Sequence, residues 1–520
     1  MPILVEADVI DDAGVVRTLR LSTGAHVTRP GEVLANATYE PRLIEPGAYS
    51  CSLWRPGELS GRSEVGYGAI IAAGGDGVFD WMVAGDCGVD GRALTIRRGP
   101  RRGRYPEDFP VIFQGTMEDF ALSRGRLKLM IRDRQAELAE RALQPLKFTG
   151  DDAVDGVEGG PELKDRPKPL AWGRCSNVSL VRVNRYRDIW MASSTAASVW
   201  PVRDGGVPYG VGVARVTLAA LIATSPAPGL CDWYYGPEGS FVRLGTPPSR
   251  TVTADVVEGA SALDRSAPRI MRRIMLGPGE LIAADVDDSS VDAAHAAAAG
   301  ECGLWLASGG EVGQALDDLA ASFGGWWVPD RFGRFRVGQL AAPTGDPVAE
   351  IEAWQILGDG PELLALGRRP GGLPTAKITV NWGRCWTVQG VTDLLGDPAS
   401  PSDPIGAAWR GYVGREWRPA VAEPAGVRIR HPLAHDLTVD SLLVEEADAQ
   451  AEAARLGALW GTRRPVARWS MAATQADAID RGAVIRLRTP RFGFGAGKLL
   501  RVTRRDDELR SNLTTLEALG

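Results

Sequence analysis

Apolar and polar residues alternate one for one in short runs near the start of the chain, the period of strands with one buried face. In "VVRTLRLST" the apolar positions are Val16, Leu19 and Leu21; "RALTIRRG" and "FPVIFQGTM" follow; in "RLKLMIRD" Leu127, Leu129 and Ile131 share a face. The period then lengthens. "RQAELAERAL" puts Leu138, Ala139, Ala142 and Leu143 on one stripe, which predicts a short amphipathic helix covering the sheet. A strand meander closed by a helix predicts one domain over residues 1–150.

Residues 151–175 begin acidic and Gly-rich and run into "RPKPLAWGRC", where Pro167 and Pro169 force extended backbone on their predecessors. This segment reads as an extended linker feeding a strand. A β-rich domain is expected over 176–260, with Val252, Ala254 and Val256 facing one way. Over 261–344 the pattern is mixed: Ser290 is placed to cap an alanine-rich helix, and Val312, Ala315, Leu316, Leu319 and Phe323 fall at helical spacing. "WWVPDRFGRFRVGQL" reads as a hairpin turning at Asp330 to Gly333. The last section, 345–520, returns to strands with one helix at 445–460, whose Ala447, Ala451, Ala454 and Ala458 form a small-residue side suited to a sheet. Sheet plus helix therefore occurs at both ends. The four letters WGRC occur at 172–175 and 382–385 in unlike surroundings, and read as coincidence. The fold class is mainly β with short helices (α+β), in several domains.

Composition narrows the function. The 520 residues exceed what one core can organise. No run of 18 apolar residues exists, which predicts no membrane span. "MPILVEADVIDD" lacks the basic start of a signal peptide, so synthesis in a cytosol is expected. The six cysteines are scattered without CxxC spacing and read as reduced thiols. A net charge of −6 opposes a main task of gripping nucleic acid.

Catalytic patterns fail one by one. "GELSG" puts Ser60 one place too late for a nucleophile elbow. "GFGAGKLL" has Phe492 where a phosphate loop needs glycine and Leu499 where it needs Ser or Thr, so it reads as a turn. "DVDDSS" lacks the glycine and closing glutamate of a calcium loop. His431 and His435 are separated by Pro432 without the glutamate of a zinc helix. No catalytic residue, cofactor or metal is expected. Trp326 and Trp327 raise a sugar-stacking surface, although core packing is the commoner use of such residues. The strongest charge run is "RRGPRRGRYPEDF". Its Arg97, Arg98, Arg101, Arg102 and Arg104 read either as a solvated tip or as a loop that docks on an acidic neighbour; nucleic-acid contact is a third reading.

Several stretches, in order, resemble the baseplate hub or tail-tip hub proteins of long-tailed bacteriophages and related tail-like particles, gene transfer agents among them. These are "GVDGRALTIRRG…VIFQGTMEDF…RLKLMIRDRQAEL", "LKDRPKPLAWGRCSNVSLV", "FVRLGTPPSRTVTADVVEG", "ALDDLAASFGGWWVPDRFGRFRVGQL" and "IDRGAVIRLRTPRFGFGAGKLLRVTRRDDELRSNLTTLEALG". The resemblance implies a homotrimer in the virion tail tip, assembled in the host bacterial cytoplasm. Two tube-like β domains per chain, one at each end, would present a pseudo-sixfold ring to the tail tube or distal tail protein. Further implied partners are a central fibre, spike or tape-measure protein, with DNA passing through the lumen during ejection. Two alternatives stay open: a distal tail or other baseplate ring protein, and a carbohydrate-binding or carbohydrate-active tail protein.

Overall fold

The computed structural model describes residues 1–55, 58, 60–62, 68–132, 134–366, 372–400 and 402–520. The chain is mainly β, with 40% strand against 18% helix spread over several sheets. Among the described residues no helix is long and apolar enough to cross a membrane.

Eight strands build a first barrel: β1 (Ile3–Ile10), β2 (Val16–Ser22), β3 (Leu43–Glu45), β4 (Ala48–Ser52), β5 (Gly68–Ala73), β6 (Ala93–Arg98), β7 (Val111–Ser123) and β8 (Arg126–Arg132). They run β2-β1-β6-β7-β8-β5, with β3 beyond β5. The sheet curls until Ser22 N–H donates to Glu40 O at 2.7 Å, just ahead of β3, so little edge is left open. Alternation dictates the interior: Val5, Ala7, Leu94, Ile96, Leu127, Leu129 and Ile131 all point inward and are buried.

Six strands build a second barrel: β9 (Ala349–Glu352), β10 (Ile356–Leu363), β11 (Val466–Ala472), β12 (Val484–Arg488), β13 (Lys498–Glu508) and β14 (Leu513–Leu519). Their order is β10-β11-β14-β13-β12-β9. A turn at Ala353–Gln355 links β9 to β10 and so brings the two ends of this sheet together. Ile351, Trp469, Met471, Ile485, Leu500 and Leu516 fill the core.

The two barrels use one pattern twice. In each, five strands pair antiparallel in the same chain order, β3-β5-β8-β7-β6 and β10-β11-β14-β13-β12. Registers match as well. The row Leu43, Ala72, Leu127, Leu122 corresponds to Ile356, Met471, Thr514, Asp507. Even the irregularity recurs, between Met117 and Asp119 of β7 and between Val502 and Arg504 of β13.

Between the barrels lies a middle body. Two five-stranded sheets enclose Cys175, Val178, Val199, Val242, Val252, Ala254 and Val256. The segment expected to be a linker is folded onto this body. Asn184 Nδ2 donates to Val154 O at 2.8 Å and Gly156 O at 2.7 Å, Lys168 pairs with Glu158, and Phe148 and Leu163 are buried. From Leu170 to Ser179 the chain is already a strand of this body.

A second, larger core collects five helices: α1 (Arg134–Ala139), α2 (Ala267–Leu276), α3 (Asp288–Ala297), α4 (Val312–Ala321) and α5 (Glu446–Trp460). Here three expectations are corrected. α1 turns Leu138 and Ala139 into this shared core, not onto the first barrel's sheet. The alanine side of α5 faces solvent, because its opposite side carries Leu456, Leu459 and Trp460, which gain far more from burial. Ser290 lies inside α3, where its hydroxyl donates to Asp287 O at 2.7 Å; Asp287 holds the cap position. The two WGRC copies, unlike in context, sit side by side. Trp386 N–H donates to Ser176 O at 3.3 Å, and Gly173 and Gly383 both have positive φ, 72° and 60°.

Candidate functional site: the seam between the barrels and the arginine loop

The barrels are joined through backbone. β4 leaves the first barrel and pairs antiparallel with the last part of β13, Ser52 opposite Arg504 and Ala48 opposite Glu508. One 14-stranded sheet therefore runs through both ends of the chain. Leu53 N–H donates to Thr503 O at 2.8 Å and Leu509 N–H to Gly47 O at 3.1 Å, extending the seam at each end.

Around a small cavity beside this seam, buried charges from three parts of the chain meet. Arg505 grips Asp507 with Nε at 2.7 Å and Nη2 at 3.0 Å, and donates Nη1 to Ala476 O at 2.7 Å. Burial works against the Arg505 charge, yet the Asp507 carboxylate outweighs it and holds the proton more tightly than usual. Arg481, with a side chain 1% exposed, donates to Ser52 O at 3.2 Å and also to Pro329 O, tying first barrel, helical core and second barrel together. Arg331 reaches Asp477 at 3.6 Å; burial, with Arg505 nearby, pushes its proton affinity down. These are structural contacts. They tie the two barrels to each other and to the helical core.

Of the five arginines singled out by sequence, the structure separates two from three. Arg98 is 7% exposed and donates to Asp477, so it belongs to the seam and is not available to a neighbour. Arg97 lies half-buried on β6, stacked 5.3 Å from the Tyr105 ring, with Nη1 donating to Phe109 O at 3.2 Å. Arg101, Arg102 and Arg104 are exposed on the loop between β6 and β7. Among the described residues no carboxylate pairs with them. The loop is nonetheless held: Phe109 is buried, Tyr105 donates to Glu6 at 2.6 Å, and Arg104 N–H donates to Asp108 Oδ2 at 2.7 Å. A side chain at Gly99 would come within 2.4 Å of Asp108 O, so glycine is needed there.

The seam was missed by sequence reading although a signal existed. Leu94, Ile96 and Arg98 share one face of β6, and the first two are core, so the third had to point inward too. The sugar-stacking idea loses its surface: Trp326 and Trp327 are 4% and 0% exposed. His431 ends a short helix and His435 opens a strand, and among the described residues no three His, Cys, Asp or Glu are gathered as for a metal.

The chain matches no protein-family model and no curated protein sequence. Among solved structures it is similar to a tail protein from Neisseria meningitidis, at 12% identity over 100% of this chain and 96% of that one, TM-score 0.37. A 43 kDa tail protein of prophage MuSo2 from Shewanella oneidensis is similar at 9% identity, over 99% and 95% of the two chains, TM-score 0.39. A chain in the virion of a native gene transfer agent particle is similar at 16% identity, over 68% and 84%, TM-score 0.39. Scores this low leave the role to be read from the geometry.

Proposed function

We propose that this chain is a structural subunit of the tail tip of a phage or gene-transfer-agent particle, the hub that joins the tail tube to receptor-binding or cell-puncturing parts. Three copies would set six barrels around a channel for DNA, each copy supplying two. The observation that carries this reading is the register-matched pair of barrels fused edge to edge through β4 and β13. A chain built this way offers a sixfold neighbour two near-equivalent contacts per copy. A net charge of −6 suits a lumen that DNA slides through. The arginine loop adds a docking element, with Arg101, Arg102 and Arg104 exposed and Arg98 and Arg97 engaged within the chain.

Electron microscopy of assembled particles, with symmetry counted at this chain's density, tests the reading. Three copies with six barrels per ring are expected; six copies per ring would mean a distal-tail type of ring, and a lone copy would end the ring reading. The role is one without turnover. Incubation with purified host peptidoglycan should release no soluble fragments, and release abolished by changing a single acidic residue would overturn that part.

A further inference from the structure

On the side away from β14, β13 has two neighbours in succession. Residues 498–501 pair with β12, and residues 504–508 pair with β4 of the first barrel. β7 is its register equivalent. Residues 111–116 of β7 pair with β6, but residues 119–123 pair with β8 alone, and among the described residues no strand lies on their other side. Ser123 and Arg126 close a two-residue hairpin, so by alternation Asp119 and Ala121 bond to β8 while Phe120 and Leu122 aim N–H and C=O at the open side. There the Phe120 N–H is met, among the described residues, by its neighbour's carboxylate, Asp119 Oδ1, at 2.7 Å.

The same equivalence identifies the strand that fits this edge. Tyr49 of β4 pairs with Gly68 of β5, and in the second barrel Leu363 pairs with Ala467 at the corresponding place. The counterpart of β4 is therefore the segment 362–366, "ELLAL". Leu364 N–H donates inward to Val466 O at 2.8 Å, while Glu362, Leu363 and Ala365 are exposed. The segment holds no proline or lysine of the kind that blunts a free edge; Pro361 stands just before it.

We propose that residues 362–366 of one copy pair antiparallel with residues 119–123 of the next. Carrying over the register of the seam sets Leu366 opposite Asp119, Leu364 opposite Ala121 and Glu362 opposite Ser123. Each copy donates one strand and accepts one, a head-to-tail contact of the kind that closes into a ring. The proposal rests on the ring reading above and names the edges that carry it.

The test uses the full chain with Ala121→Cys and Leu364→Cys together. These positions form a pair not hydrogen-bonded across the contact, the geometry that brings Cβ atoms closest and suits a disulfide. Mild oxidation should convert most of the double variant into covalent multimers on a non-reducing gel, and neither single variant should do so. Hydrogen exchange on the unaltered protein provides a second arm: the Phe120 and Leu122 amides should exchange at least about tenfold more slowly in the assembly than in the dilute monomer. A ring seen by mass without cross-links and without that protection would overturn the edge assignment and leave the ring reading standing. If the cysteine variant fails to fold, the exchange result alone decides. A chain that stays monomeric at every concentration overturns the ring reading and this pairing together.

Discussion

The first and second barrels share a backbone plan and differ in what covers it. On the row that runs Leu43, Ala72, Leu127, Leu122 every side chain of the first barrel is apolar, while its counterpart ends in Thr514 and Asp507. Next to it, Phe120 of β7 corresponds to Arg505 of β13. The charged version lies where the edge is covered by β4 and the charges satisfy one another; the apolar version lies where, among the described residues, no strand covers the edge. Ladder register thus defines the barrel, and side chains adapt to the neighbour. A covered edge accepts charges only as a bonded set, since a buried charge left alone is costly.

Removing Arg505 should therefore have the largest effect. Arg505→Ala strands the Asp507 carboxylate, 14% exposed, together with the carbonyl oxygens of Ala476 and Ile479. A loss of about 3–5 kcal/mol is expected in urea unfolding. Phe120→Ala, at the equivalent place in the first barrel, removes a half-buried ring and strands nothing, so about 1–2 kcal/mol is expected. Equal losses would break the comparison.

A second pair of variants compares the interiors. Leu127 and its counterpart Thr514 are both 0% exposed. Leu127→Ala opens a cavity among Ile70, Leu94 and Leu129 and should cost about 2–4 kcal/mol. Thr514→Ala loses one hydroxyl hydrogen bond to Asp507, worth about 1–2 kcal/mol, measured by the same unfolding curves.

Acid should separate the barrels too. His26 packs against Phe109 with ring centroids 4.7 Å apart, and burial lowers its proton affinity. The unfolded chain then binds a proton that the folded chain refuses, so stability is full above the ordinary histidine value of about 6.5 and falls as pH drops below it. Protection of the segment 99–109 against hydrogen exchange, relative to the unfolded chain at the same pH, should fall between roughly pH 6.5 and 5, and His26→Phe should abolish that response. The second barrel's strands contain no histidine and should stay flat over that window.

Much of this was readable from the chain, for a physical reason. Strands with one buried face write themselves as alternation, so Leu127, Leu129 and Ile131, or Val252, Ala254 and Val256, gave correct faces. Contacts made at long range leave no local pattern. Nothing within 151–169 announces that Asn184 will take the carbonyls of Val154 and Gly156, so an ordered segment reads as a linker. The alanines of α5 suggest one buried side, although its leucines and Trp460 decide the other. The repeat is legible only in outline, as sheet plus helix at both ends; its register is hidden because equivalent positions hold unlike residues, Phe120 against Arg505 and Leu127 against Thr514. Arg98 reads as part of a charged run, whereas its period-two partners Leu94 and Ile96 mark it as inward.

The smallest effect on stability is expected at the loops that join equivalent strands. Between β6 and β7 stand the exposed Arg101, Arg102 and Arg104; between β12 and β13 the corresponding turn is "TPRFGFGAG", with Arg491 alone and Phe492 46% exposed. Three guanidiniums close together repel, and among the described residues none of them has a carboxylate within ion-pair distance. Their replacement by Ala should shift unfolding by less than about 0.5 kcal/mol per site, because nothing buried depends on them. Arg98→Ala is the contrast, since it leaves Asp477 at the seam with the more distant Arg331 alone and should destabilise measurably. If the loop docks on an acidic surface of a neighbouring ring, the triple variant folds normally while tails fail to complete, for Arg forks pair carboxylates two bonds at a time and losing a desolvated pair costs about 2–5 kcal/mol at a contact. Yield of transfer-competent or infectious particles is the readout. Wild-type yield from the triple variant would make this loop a solvated tip, no different in role from the glycine-rich turn of the second barrel.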